Sequence, residues 1–189
     1  MVTRTRLSIP VLLAVLSLTA CGNQSTDDSG DEKFVAAGTS QQQSIIAAGP
    51  VGKVEYEAAV ERVRSCLRDR GITLTNEGWD PVRQLGMQLY YSSPGMADDE
   101  LIRLSDQCRK AHLDAIEDSY QLHRKPEMDP KLHRALITCL GQRGISMTNA
   151  STDASKFAEA IPGTKTEELA SCVNEVSARL YPSMQQVSF

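Results

Sequence analysis

Five cysteines are the residues of this 189-residue chain with the widest chemistry open to them: Cys21, Cys66, Cys108, Cys139 and Cys172. A thiol can be acylated, oxidised in a pair, used as a nucleophile or bound to a metal. Metal binding fits worst. A zinc site needs three or four ligands converging at about 2 Å, yet there is no Cys-x-x-Cys, and His112, His123 and His133 contain no i, i+4 pair. No metal and no cofactor is expected. Nucleophilic catalysis needs a positioned base and a turn that exposes the nucleophile, and neither Gly-x-Ser-x-Gly nor a Gly-rich phosphate loop occurs. The carboxylate pairs Asp98/Asp99 and Glu167/Glu168 fall in first helical turns, where the helix dipole favours them. The chain reads as a non-enzyme.

Cys21 stands apart. Arg4 and Arg6 are the only charges before residue 27, and an apolar run extends from Leu7 to Ala20. That run is shorter than the roughly 20 residues a membrane-spanning helix needs and has the length of a signal-peptide core. It ends Leu18-Thr19-Ala20-Cys21. This ending resembles the lipobox of bacterial lipoproteins: a branched apolar residue, two small residues and a cysteine. The resemblance implies that the Cys21 thiol is diacylated, that residues 1–20 are removed as signal peptide, and that the lipidated cysteine becomes the N-terminus. Two acyl chains anchor stably where one is marginal. The implied place is the outer face of the bacterial cytoplasmic membrane. An ordinary cleaved signal peptide followed by a chance cysteine is the alternative.

Residues 21–52 then form the lipidated cysteine and its linker. Ser, Thr, Gln, Gly and Asp dominate, Phe34 is the one aromatic, and Asp27, Asp28, Asp31 and Glu32 cluster. Such a segment buries too little apolar surface to offset its ordering entropy, so a flexible spacer is expected.

Loss of Arg4 and Arg6 with the signal peptide leaves 18 Lys plus Arg against 24 Asp plus Glu, a net charge of −6. Nucleic acid, which favours a basic face, is not an expected partner, and no polybasic patch offers itself to anionic lipid.

The other four cysteines sit in a repeat. CLRDRGITLTNE (66–77) and CLGQRGISMTNA (139–150) share seven of twelve positions. Upstream of each, apolar residues recur at three- and four-residue spacing: Tyr56, Ala59, Val60, Val63, Cys66 and Leu67, then Leu132, Ala135, Leu136, Cys139 and Leu140. Both are amphipathic helices with the cysteine on the apolar face. Asp129-Pro130 supplies an N-cap and first helical residue to the second. Arg70-Gly71 and Arg143-Gly144 supply matching stops. A short helix should follow in each unit: one opens at Asp80-Pro81 with Val82, Leu85 and Leu89 inward, the other runs from about Asp153 to Ile161. Pro94-Gly95 and Pro162-Gly163 make turns. Third helices, Asp98 to about Leu122 and Thr166 to about Leu180, carry Cys108 and Cys172.

The expected fold is therefore all-α: two homologous three-helix units, residues 53–125 and 126–185. Four cysteines allow three pairings. Pairing within units, Cys66–Cys108 and Cys139–Cys172, is the economical choice, with crossed pairing as the alternative. The arrangement also resembles small secreted actinobacterial lipoproteins in which a Cys-x4-Gly helix end precedes a second cysteine some thirty to forty residues on; residues 55–181 carry it. That group brings no established activity.

The function expected is a non-catalytic binding or interaction module of the cell envelope, meeting an envelope protein or ligand. The alternative is an envelope enzyme with an unfamiliar site. Arg70 and Arg143, with Asn76 and Asn149, are the repeated polar residues; capping and turn-making account for them most simply. Trp79, Tyr90 and Tyr91 lie near the first of these corners without aromatic counterparts after the second. Trp79, Tyr90, Tyr91, Arg70 and Asn76 are the candidate binding face.

Overall fold

The computed structural model describes residues 28–147, 150–184 and 187. The signal-peptide reading of 1–20, the lipidation reading of Cys21 and the proposed role of Asn149 lie outside them.

Among the described residues the chain is mostly helical, with two disulfides and a two-stranded sheet. The order is α1 (Asp28–Ala48), α2 (Lys53–Asp69), β1 (Thr73–Trp79), β2 (Met87–Ser92), α3 (Asp98–His112), α4 (Asp114–Leu122), α5 (Pro130–Gln142), α6 (Ala154–Glu159) and α7 (Thr166–Leu180). A 3-10 turn, Gly163–Lys165, leads into α7.

The repeated dodecapeptide is a helix stop used twice. Gly71 and Gly144 take φ of +75° and +76°, a conformation in which a Cβ would be strained. The next residue then folds back: Ile72 N–H donates to Leu67 O at 2.9 Å, and Ile145 N–H donates to Leu140 O at 2.9 Å. This six-to-one bond is that of the Schellman motif, and both isoleucines are buried against the helix they close.

The bridges join Cys66 to Cys108 and Cys139 to Cys172, closing loops of 42 and 33 residues. On the loop-closure argument each contributes about 4 kcal/mol. Each lies beside a separate apolar cluster. Tyr56, Val60, Val63, Leu67, Leu113 and Ile116 are central to the first; Leu132, Leu136, Leu140, Phe157, Cys172 and Val176 are central to the second.

Three expectations are corrected. The short helix expected from Asp80 is absent. In its place β1 and β2 form an antiparallel hairpin pairing Leu74 with Tyr91, Thr75 with Tyr90 and Asn76 with Leu89. Asp80-Pro81 opens a turn instead: Asp80 Oδ1 accepts from Val82 N at 2.8 Å, and Asp80 N–H donates to Gly86 O at 2.8 Å. Leu85 and Leu89 follow Val82 at helical spacing by coincidence; Val82 inserts into the second apolar cluster while Leu89 packs on the first. The fold is thus not purely helical.

The helix expected from Asp98 to Leu122 is broken at Leu113 (φ −128°, ψ −46°) into α3 and α4.

The spacer expected over residues 21–52 contains the 21-residue helix α1. It has no strong apolar stripe; Ile45 and Ile46 pack on the first cluster, and polar contacts complete its seat. Gln42 is buried, 1% exposed. Its Nε2 donates to Lys110 O at 2.7 Å and its Oε1 accepts from Ala115 N at 2.9 Å, satisfying backbone groups freed where α3 ends and α4 begins. Gly38 permits the approach, since a Cβ there would lie 2.3 Å from Ala111 O.

Candidate functional site

Trp79 ends β1, just past a bulge at Asn76–Trp79. Asn76 makes that bulge: its Oδ1 accepts from Gly78 N at 2.8 Å and its Nδ2 lies 3.2 Å from Met87 Sδ. The Trp79 ring packs on Tyr56 of α2 at 5.0 Å and on Tyr120 of α4 at 5.3 Å, and Tyr56 meets Tyr120 at 5.2 Å. Three ring faces from three elements thus form one rigid block.

Two cations lie on its edges. Lys53 Nζ stands 4.6 Å above the Trp79 ring, and the Arg124 guanidinium 4.0 Å above Tyr120. Trp79 Nε1 donates to Glu57 at 3.2 Å. Beside the block opens a groove of about 450 Å³ whose walls include Lys53, Tyr120, His123, Arg124, Lys125 and Glu127. Among the described residues, Lys53, Arg124 and Lys125 form no ion pair with a carboxylate.

Beneath the block lies a polar joint. The Tyr56 hydroxyl donates to Glu117 Oε1 and accepts from Met87 N at 3.3 Å. Arg109 Nη2 donates to Glu117 Oε2 at 2.7 Å and lies 3.3 Å from Asp114 Oδ1 without an aligned hydrogen bond. Arg109 Nη1 reaches the Tyr91 hydroxyl at 3.5 Å. Burial, then the bond to Glu117, pushes the Tyr56 phenol far above its ordinary pKa. Burial also raises the Asp114 carboxyl, against the pull of Arg109. These groups use their polar atoms on one another and tie α2, α3, α4 and the hairpin together.

The five residues of the candidate face do not form one surface. Asn76, Trp79 and Tyr91 share the hairpin face turned to the first cluster. Tyr90, next to Tyr91 in the strand and paired with Thr75, points to the opposite face. Arg70 belongs to a different crevice, with its guanidinium 4.9 Å over the Phe34 ring and Nη1 donating to Gln107 at 2.6 Å. Sequence reading missed Tyr56, Tyr120, Lys53, Arg124, Arg109 and Glu117. Tyr56 sits inside a helical apolar stripe and reads there as core, and Tyr120 carries no signal of its own; only the fold shows that they share a ring stack with Trp79.

Among the described residues no group of three or more His, Cys, Asp and Glu side chains is placed to hold a metal ion, and no helix is long and apolar enough to cross a membrane. No known protein family, curated protein or solved structure matches the chain.

Proposed function

We propose that this chain is a bacterial lipoprotein, anchored through Cys21 on the outer face of the cytoplasmic membrane, and that it works there as a non-catalytic binding module. The anchor rests on the Leu18-Thr19-Ala20-Cys21 ending and its preceding apolar run. With residues 1–20 removed, α1 begins only a few residues from the anchored cysteine. We also read the folded part as two homologous units divided near residue 125, each stapled by its own bridge, in which the first unit has a hairpin where the second has α6.

The observation that carries the binding reading is the groove beside Trp79. Lys53 and Arg124 rest on rigid aromatic faces, and Lys53, Arg124 and Lys125 lack carboxylate partners among the described residues. A preorganised, positively charged edge on a net-negative protein suits an acidic surface of an envelope protein, and charge of this kind steers encounter and selects partners.

Capture from crosslinked native membranes tests it. The full-length chain is compared with a Lys53→Glu/Arg124→Glu variant. One stoichiometric protein recovered with the first and lost with the second is expected; identical recoveries would remove the reading. Separately, Cys21→Ala should move the protein from the membrane fraction to the soluble one.

A further inference from the structure

The two disulfides have different charged neighbours. At the second, Cys139 Sγ lies 4.0 Å from Glu175, whose charge Arg143 balances at 3.1 Å. The basic groups beside the first have no such partner among the described residues. Arg62 stands one helical turn before Cys66, and His112 one turn after Cys108. At the corresponding places around Cys139–Cys172 stand Ala135 and Val176, both packed into the second apolar cluster. Joining two helices by a bridge in this fold therefore does not call for a basic side chain one turn from each cysteine.

Around Cys66–Cys108 these side chains line a cavity of about 320 Å³ with Phe34, Asp69 and Arg70. Three basic groups converge there with a single carboxylate, the exposed Asp69. Arg62 Nη2 and His112 Nδ1 are shielded from water and have no hydrogen-bond partner among the described residues. Among the described residues neither Arg62 nor Arg70 forms an ion pair, whereas Arg143, the repeat counterpart of Arg70, has Glu175 at 3.1 Å. Burial first, then the charges of Arg62 and Arg70, holds the His112 imidazole below its ordinary range. Removing the Arg62 cationic donor from water without a partner is costly; an anion seated there removes that cost and favours protonation of His112.

We propose that this cavity is a binding site for a phosphate group. The Arg62 fork and the N–H groups of Arg70 not donated to Gln107 match its oxygens. Its charge, about −1.5 to −2 for a monoester at neutral pH, suits three basic groups with one carboxylate nearby. Asp69 offers an acceptor to a protonated phosphate oxygen, which sulfate lacks. Phe34 provides an apolar wall for the organic remainder of a phosphomonoester, and the cavity has the size of a small-ligand pocket. The group comes either from a soluble phosphate or from a lipid headgroup.

The full-length chain in detergent is titrated with inorganic phosphate at constant ionic strength. The His112 imidazole is followed by NMR and the thermal midpoint is recorded alongside. A saturable shift and a rising midpoint are expected. Arg62→Gln should weaken binding at least about tenfold; Arg134→Gln, which removes the same charge from exposed α5, should leave it unchanged. Because Arg62→Gln removes an unpartnered buried donor, its phosphate-free stability should equal or exceed that of the parent, which separates lost binding from lost folding. Displacement of bound phosphate by phosphatidate carried in the same detergent micelles, with phosphatidylcholine as the control lipid, assigns the site to a headgroup; no displacement assigns it to a soluble phosphate. The proposal is overturned by no saturable response, by an equal response in Arg62→Gln, or by sulfate binding as tightly as phosphate.

Discussion

Gln42 holds Lys110 and Ala115 at once: its amide donates to the carbonyl of one and accepts from the N–H of the other, across the break between α3 and α4. One polar side chain from the helix nearest the proposed anchor thus completes a joint in the body of the fold. Truncating it leaves buried backbone groups unsatisfied.

Gln42→Ala should lower global stability by about 2 kcal/mol and Gly38→Val by about 1–3 kcal/mol. Hydrogen exchange should quicken throughout α1 in both. Urea unfolding gives the first quantity. Unchanged exchange in α1 would show that its seat on α3 does not depend on these two residues.

The Tyr56–Glu117–Arg109 joint should be strongly non-additive. Glu117→Gln leaves Arg109, its guanidinium only partly exposed, without its closest carboxylate, costing about 2–3 kcal/mol. Tyr56→Phe removes one donor while the Arg109–Glu117 pair remains, costing about 1 kcal/mol. The double variant should cost less than the sum, because Tyr56 has little left to lose once the carboxylate is gone. A double-mutant cycle measures the difference, and simple additivity would mean the three do not act together.

His112 sets a pH dependence with a definite sign. Its folded-state pKa is held below the ordinary 6.5, so the unfolded chain takes up this proton first as pH falls. Stability attributable to His112 is present above pH 6.5 and is lost as pH falls from there toward the lower folded value. His112→Gln should flatten that part of the profile. Saturating phosphate should reverse the trend, since an anion favours the imidazolium. Denaturation midpoints across pH 5–8, with and without phosphate, report both.

Val82 links the hairpin loop to the second cluster and is 1% exposed. Val82→Ala should cost about 1–2 kcal/mol, and its packing effects should appear at Leu132 and Phe157 in methyl and aromatic NMR spectra rather than around Tyr56. Perturbation confined to the first cluster would contradict its placement.

The sequence made the cysteine-bearing helices and their stops legible, because each joins a 3.6-residue apolar period to a Gly that only a helix end requires. The hairpin was hidden by Val82, Leu85 and Leu89, whose helical spacing masks the alternation of Met87, Leu89 and Tyr91. Helix α1 was hidden for a different reason: its apolar contact with the first cluster is confined to Ile45 and Ile46 at one end, and Gln42 and Gly38 hold the rest by a polar bond and a close approach, neither of which leaves a hydrophobic signature. Trp79 could be singled out by rarity. Its ring partners Tyr56 and Tyr120 lie 64 residues apart and meet only through the fold. Arg62 and His112 stand at fixed offsets from two cysteines, a pattern that acquires meaning only once the pairing of those cysteines is known.

The loop that carries Val82 has one further consequence. It hangs from the first half of the polypeptide but fills the interior of the second, and Asp129 N–H donates to Pro81 O at 2.7 Å beside it. The seam in the amino-acid sequence and the seam in three dimensions therefore do not coincide. A cut between residues 125 and 126 would leave the downstream fragment with a hollow shaped for Val82 of the upstream one. Two such pieces should recognise each other through it, as lock and key.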